Sequence, residues 1–560
     1  MAGGDAVDPE LLRQALDIVG GSAGIAEPAL AATFDFNRAA QLMQDGRTAE
    51  AIPILRGLAA PPAGKRTTPV IGLQAAKTLA DSAFGREAWD EVIEAERVAA
   101  VHLDALASRT EELFSRDATA AERGTLAAMA AYAAARTGAA DAAISILERG
   151  RTTMIAERLR TAQRPPARHP RAGQPVVHLV TTPAGGLALI SQHREPATVL
   201  WLDQIGGSSL EDRLSSYAAA LEGVRRNSML GMGHWRAEVA RMVDALRDAL
   251  KPLRAAYPSG PLTVIPAGVL SMLPIAAALN SGVPARGITI LPSLGLDPAW
   301  SADAPTEQVL VVADPALPSV RWEEAGVRAF FARPAAGAAG SSGMAPGTPT
   351  GAMPGTPSEA TPGTPGEATP GGVLAAFPPG GVVHFACHAA VEIGAPLRSA
   401  LFLPGGGQLT VEDILRAGAA PARAVVLSAC ESGLNGPYLL DEVITLPVAF
   451  LAAGCAGVVS TLWLVEDLSA ALLMLRFYWE WRHEGCPAPL ALARAQDWLR
   501  STSDRDKCRF AEAELVAAGV LGDDDGTTLA DRIRERSAAT GAANSYADPF
   551  FWAGFCFTGR

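Results

Sequence analysis

Short apolar runs that alternate with longer helical segments constrain this chain most. LTVIP (Leu262–Pro266), ITILP (Ile288–Pro292) and VLVVADP (Val309–Pro315) come first, and GGVVHFACHAA, AVVLSACESG and CAGVVSTLW follow. Each apolar stretch is too short for a stable helix and rich in β-branched residues, so each reads as a strand. Amphipathic segments lie between and around them, the longest from about Ser208 to Tyr257. Strands alternating with helices build a largely parallel sheet covered on both faces, which explains why the runs are uniformly apolar. Ahead of them, VVHLV and LALIS (Val176–Val180 and Leu187–Ser191) flank a TTPAGG turn and predict a hairpin. The closing segment YADPFFWAGFCFTGR reads as an aromatic strand in which Gly554 lets the backbone pack closely.

The first part of the chain has a different rhythm. Between about 30 and 160, small and apolar residues recur at helical spacing around Gly46, Gly85 and Gly138. The segments RAAQLMQDGRTAEAIPIL, AAKTLADSAFGREAWDEVI and AAMAAYAAARTGAADAAISIL predict helical hairpins. Alanines before each turn let two helices approach, and larger residues after it fill the groove. The pattern resembles tetratricopeptide repeats, although the turn glycines stand 39 and 53 residues apart, against a repeat of about 34. The array is therefore degenerate or interrupted, with a plain helical domain as the simpler alternative. Arg149–Arg171 reads as a last helix and an arginine-rich linker. Residues 334–371 are almost wholly Pro, Gly, Ala, Thr and Ser, with GTP recurring at Gly347, Gly355 and Gly363. Such a segment cannot bury a core, so a disordered insertion is expected there, with one sheet formed from the chain on both sides.

Composition narrows the function. Hydrophobic residues make up 49% of the 560, enough for a large core. The net charge of −12, from 47 basic and 59 acidic residues, disfavours nucleic acid as the main partner. Six cysteines without a CxxC pair point to neither a disulfide scaffold nor a zinc site, so a reduced, cytoplasmic setting is expected. The polar, acidic start MAGGDAVDPELLRQ is not a secretory signal. Leu446–Val465 carries no charge over 20 residues, but Pro447, Gly454 and Gly457 divide it, and a buried helix followed by a buried strand is expected rather than a membrane span. No GxxxxGK[ST] loop and no HExxH occurs, so neither ATP nor zinc chemistry is supported, and no cofactor or metal is expected.

Two of the predicted strands run into reactive side chains. VVHFAC leads into His388, and AVVLSA leads into Cys430. Ligands and catalysis gather at the carboxyl ends of parallel strands. If the two strands are neighbours, an imidazole and a thiol share one rim. The thiol can attack an acyl carbon, and the histidine can activate it or protonate the leaving group. A His and a Cys 42 residues apart are weak evidence by themselves, since buried cysteines are usually inert. Cys387 should face the opposite side of its strand from His388. His178 and His384, within apolar strands, read as core histidines.

The wider pattern adds weight. HFACHA and LSACESG resemble the histidine and cysteine motifs of the CHAT family, caspase-like peptidases usually attached to tetratricopeptide repeats. AFLAAGCAGVVSTLWLVED, DPFFWAGFCFTG, VIPAGVLSMLPIAAAL and VLVVADP resemble further blocks of that family, and ILERGRT the helix that often precedes its domain. The resemblance covers about 170–560, less the insertion, after a helical region over 1–160. It implies a caspase-like α/β sandwich with a mostly parallel sheet and a Cys-His dyad, in a clan that includes separases. Cys430 would be the nucleophile and His388 its partner. The backbone N–H groups of Cys430 and Ala389 would form the oxyanion hole. The family commonly carries glycine where this chain has Ala389, and alanine resists backbone angles that glycine allows. An acidic pocket floor in related peptidases implies a substrate-pocket role for Asp467, which would select Lys or Arg. The bland reading of Asp467 is a helix N-cap. Trp463 and Glu431 are further pocket candidates, and Asp441 a weaker one, with core packing the alternative for Trp463.

The function expected is an intracellular cysteine endopeptidase, acting on a protein substrate and switched by a protein partner or signal through the helical region. The alternative is a catalytically silent scaffold of the same fold, which Ala389 favours. A nucleic-acid-gated effector contacting Arg151–Arg171 is a further rival, disfavoured by the acidic charge. The Ala-, Gly-, Pro- and Arg-rich composition points to a high-GC bacterium, and bacterial relatives act in defence, an analogy only.

Overall fold

The computed structural model describes residues 26–559 except 63–66, 108–112, 150, 152–173, 207, 227, 297–307, 333–367, 393–394, 418–421 and 429–444. The chain divides into two compact units, Met1–Gly138 and Ala139–Arg560.

The first unit is all helical. Helices Ala26–Gln44 and Thr48–Ala59 form one helix–turn–helix pair, Pro69–Gly85 and Trp89–Ala107 a second, and Leu113–Arg136 follows. Thr68 starts the third helix by accepting a hydrogen bond from Ile71 N (3.3 Å), with Pro69 at the first position, where its missing N–H costs nothing. The first turn uses Gly46 at φ +76°, but the second places its left-handed residue at Glu87 (φ 57°), two positions beyond Gly85. Phe84, Trp89 and Tyr132 then meet as an aromatic cluster, with centroids 5.6–5.9 Å apart. Two of the three expected hairpins, those around Gly46 and Gly85, are present in this unit, and the one around Gly138 is divided between the two units. The helix Ala140–Arg149 belongs to the second unit, where Glu148 binds His178 and Leu294 N.

The second unit is built on a sheet of ten strands. In chain order these are β1 (Val176–Thr182), β2 (Gly185–Ser191), β3 (Thr198–Leu202), β4 (Leu262–Pro266), β5 (Ile288–Ile290), β6 (Val309–Ala313), β7 (Val382–Ala386), then β11 (Ala424–Leu427), β12 (Gly457–Thr461) and β13 (Phe555–Gly559). A separate three-stranded sheet holds β8 (His388–Ala390), β9 (Ala400–Phe402) and β10 (Gln408–Thr410). The ten-stranded order is β3-β2-β1-β4-β5-β13-β12-β11-β7-β6. The hairpin β1–β2 is antiparallel, as its turn predicts. β6 pairs with β7 in parallel, so the chain on both sides of 334–371 shares one sheet. The body of that segment lies outside the described residues, and at its end Thr369 caps the helix Pro370–Ala375.

The pairing is mostly parallel, with one reversal inside the sheet. β12 and β13 run antiparallel (Val459 opposite Phe557), whereas β13–β5 and β5–β4 are parallel on one side and β12–β11, β11–β7 and β7–β6 are parallel on the other. The carboxyl ends of β6, β7, β11 and β12 therefore share one rim, and those of β1, β4 and β5 lie at the other.

The sheet separates two cores, as alternate strand side chains require. Val382, Ala424, Val426 and Val459 face a large core with the helices Val320–Phe331, Asp467–Tyr478 and Ala488–Ser501. Val383, Phe385, Val425, Leu427 and Val458 face a second core with Val411–Ala417 and Leu446–Ala453. The uncharged stretch from Leu446 resolves as that helix followed by buried β12. Thr445 caps the helix at Val448 N, and Gly454 ends it at φ 105°. No helix among the described residues is long and apolar enough to cross a membrane.

Candidate active site

His388 follows the carboxyl end of β7 and opens β8, where it pairs with Phe402. It is exposed, whereas Cys387 beside it is buried in the second core. The alternation expected of these two neighbours is therefore met. Ala389, half-buried, pairs with Leu401. β7 and β11 are parallel neighbours with Phe385 opposite Leu427, and Ser428 N–H donates to Phe385 O (2.9 Å). Cys430, Glu431 and Asp441 lie outside the described residues. Ser428, buried and two positions before Cys430, is the nearest described residue upstream.

A polar network missed from the sequence pins β7. His384 is fully buried, its Nδ1 bonded to the Tyr478 hydroxyl at 3.1 Å and its Nε2 3.0 Å from Glu323 Oε1, a charge contact that is not aligned as a hydrogen bond. Glu323 and Tyr478 come from the two helices that cover this face, Val320–Phe331 and Asp467–Tyr478. Burial, and then the Glu323 charge, push the Tyr478 phenol well above its ordinary pKa. The phenol thus stays a neutral donor or acceptor for the imidazole. His384 was legible as a core histidine, but nothing in the sequence pairs it with partners 61 and 94 positions away. Glu323→Ala takes the charged neighbour from a buried imidazole that keeps its bond to Tyr478, and a loss of about 1–3 kcal/mol is expected in the urea unfolding of the second unit. Glu323→Gln, which keeps an acceptor, should recover much of it.

His178 is the parallel case in β1. It is buried, with Nε2 2.9 Å from Glu148 Oε1. Burial raises the Glu148 carboxyl, but the bonds to His178 and the nearby Arg151 outweigh it and hold the group below its ordinary range.

Past β12 on the same rim, Trp463 is fully buried. Its Nε1–H donates to Phe550 O (3.0 Å), and its ring meets Trp235 edge-on at 6.0 Å. A Cβ on Gly554 would come within 2.8 Å of the Trp463 ring, so this position requires glycine. Glu466, not Asp467, caps the following helix by accepting from Ser469 N (2.9 Å). Asp467 is half-buried at the first helical position, and its Oδ2 accepts from Ser319 N (2.8 Å), tying two helix starts together. Among the described residues no group of three or more His, Cys, Asp or Glu side chains is placed to hold a metal ion.

Residues 239–560 match the CHAT domain. No curated protein matches the chain. Among solved structures, the chain is similar to the Saccharomyces cerevisiae separase–securin complex solved at 2.6 Å, with a TM-score of 0.42 and 10% identity. A second structure of that complex, at 3.0 Å, gives a TM-score of 0.39 and 10% identity. Each likeness covers 94% of this chain and 40% of the matched one, so the chain spans well under half the length of those proteins. The CHAT match takes in more than half of the 560 residues, together with the strands that lead to both His388 and Cys430. The chain therefore belongs to the CHAT-domain family and has its caspase-like α/β fold.

Proposed function

We propose that the chain is a cysteine endopeptidase with Cys430 as nucleophile and His388 as general acid and base. The register of β7 and β11 carries this reading. Phe385 lies opposite Leu427, so His388 and Cys430 each stand three residues beyond a matched pair on neighbouring parallel strands. Two peptide units, a reach of about 7 Å, separate Ser428 from Cys430. In this reaction the imidazole takes the thiol proton, and the thiolate attacks the peptide carbonyl. The imidazolium then protonates the leaving amine, and water releases the acyl-enzyme with His388 acting as base. The backbone N–H groups of Cys430 and Ala389 are the proposed donors to the oxyanion. We place the chain in the cytoplasm on its cysteine pattern, which lacks a disulfide framework.

For specificity we propose a basic residue before the scissile bond. Asp467 follows β12, whose carboxyl end shares the rim with β7 and β11. One of its oxygens is engaged by Ser319 N, which leaves the other for a substrate cation. Glu431, next to the nucleophile, adds negative charge, and buried Trp463 supports the pocket from behind. Asp467→Asn keeps an acceptor for Ser319 while removing the charge. It is expected to lower kcat/KM about tenfold or more for Arg or Lys substrates and to leave apolar ones nearly unchanged. Equal losses for both classes would remove the charge-selection idea.

The helical unit is the proposed docking region for an activating protein, because stacked helix pairs offer extended faces. Phe34, Val70 and Val101 are its exposed large apolar side chains among the described residues. The test of the whole proposal is cleavage of a peptide library by the full chain, with and without native-host lysate, against Cys430→Ala. Cleavage in neither condition would favour the silent scaffold, the reading that alanine at 389 supports.

A further inference from the structure

A cavity of about 500 Å³ lies away from the proposed peptidase rim, and its chemistry is cationic and aromatic. It is bordered by β5 and β13, by the starts of β11 and β12, and by the first residues of the helix Ala488–Ser501. Arg423 on its wall immediately precedes β11, whereas Ser428 follows that strand. The two are thus at opposite ends of one strand, about 17 Å apart at strand rise.

Two arginines line this cavity, and no carboxylate does among the described residues. Arg286 is 4% exposed. Its Nη1–H donates to Tyr257 O, but its Nε and Nη2 are buried without a partner. Its backbone is fixed on both sides by Asn280, which donates to Arg286 O (3.0 Å) and accepts from Arg286 N (3.3 Å). A buried guanidinium with two idle donors is costly unless an anion completes it. Burial lowers the pKa of both Arg286 and Arg423, as expected of cations without counter-charges.

A second feature points the same way. The helix Ala488–Ser501 begins at the cavity with Pro487, and no side chain caps it. Leu490 N is close to Gly287, where an added Cβ would sit 3.3 Å away, so this helix start adjoins the residue after Arg286. Pro489 has no N–H and Ala491 N–H is bonded to Pro487 O, so the uncapped amides here are those of Ala488 and Leu490, and such amides at a helix start favour an anion. Trp481 and Phe557 supply flat apolar walls, and Arg423 lies over the Trp481 ring at 5.8 Å. Thr263 and Thr289 add hydroxyls.

We infer that this cavity binds a small organic phosphate of mononucleotide size, its phosphate held by Arg286 and the N–H groups of Ala488 and Leu490, its ring against Trp481 and Phe557. Two unneutralised guanidinium groups suit a phosphate monoester, which carries nearly two charges at neutral pH. The cavity volume falls within the range of small-molecule sites.

The test is calorimetric titration of the full chain with adenosine monophosphate, inorganic phosphate and adenosine. Adenosine monophosphate is expected to bind with a Kd below about 1 mM, at least tenfold tighter than either fragment. Arg423→Gln and Arg286→Gln are each expected to weaken it about tenfold or more, the loss of one charge-assisted bond. Hydrogen exchange of the wild-type chain gives a reading that needs no variant to fold, with slowed exchange expected at the amides of Ala488 and Leu490 when the nucleotide is present. Binding that neither substitution weakens, equal affinity for adenosine, or no binding and no protection with any of the three probes would each overturn the inference.

Discussion

Peptide cleavage by Cys430→Ala is expected to fall by at least about 10⁴-fold, with the unfolding transition unchanged. The size follows from the role proposed for the thiol. Without it no acyl-enzyme forms, and only substrate positioning and the oxyanion donors remain. His388→Ala is expected to cost less, about 10²–10⁴-fold, because a proton carrier is lost while the nucleophile stays. Because the two act as a unit, the double variant should be little worse than Cys430→Ala alone. The measurement is kcat/KM on the best substrate from the peptide library, with circular dichroism to verify the fold. A Cys430→Ala chain that keeps even a tenth of the activity would assign the nucleophile elsewhere.

Trp463→Ala is expected to destabilise the second unit by about 3–5 kcal/mol. The indole is fully buried, stands edge-on to Trp235, bonds Phe550 O and fills the space that Gly554 leaves open. Alanine removes that contact area and strands the carbonyl of Phe550 at once. The Leu468–Leu475 stretch packs on the same core and has no means of collapsing into the gap without moving its helix. Urea midpoints with an unchanged slope would show the loss as one of stability. Trp463→Phe, which keeps a ring but not the N–H, should cost about half as much. A loss under about 1 kcal/mol for alanine would mean that the ring borders open space instead of the core.

Much of the fold was legible because it rests on local pattern. The apolar runs gave strands at β4, β5, β6, β7, β11 and β12 within a residue or two. The TTPAGG turn gave the β1–β2 hairpin, and the Thr445–Gly454 frame agrees with the buried helix read from Leu446. What sequence pattern does not carry is long-range pairing. Nothing in FCFTG announces that β13 inserts between β5 and β12 and reverses the strand direction there. The turn after Gly85 shows a smaller limit. A glycine marks the region, but the left-handed angle falls at Glu87, between Phe84 and Trp89, whose rings meet across the turn.

The candidate site divides in the same way. Cys387 and His388 point apart, as strand alternation requires. The capping residue of the helix after Trp463 is Glu466, one place before the Asp467 of the sequence reading, because the longer carboxylate reaches Ser469 N and frees Asp467 for Ser319. The Glu323–His384–Tyr478 network and the Arg286–Arg423 cavity were invisible, since each joins residues from elements far apart in the chain.

The central claim is that Cys430 is a nucleophile primed by His388. Its most direct test is intact-mass and peptide-mapping spectrometry after treatment with a peptidyl alkylating probe bearing arginine next to the reactive carbon. Wild type, Cys430→Ala and His388→Ala would be compared, each with and without native-host lysate. The account predicts a single adduct on Cys430, absent from Cys430→Ala and at least about 100-fold slower in His388→Ala. No adduct with basic, acidic or apolar probes in either condition, or labelling of Cys430 at the same rate without His388, would contradict it.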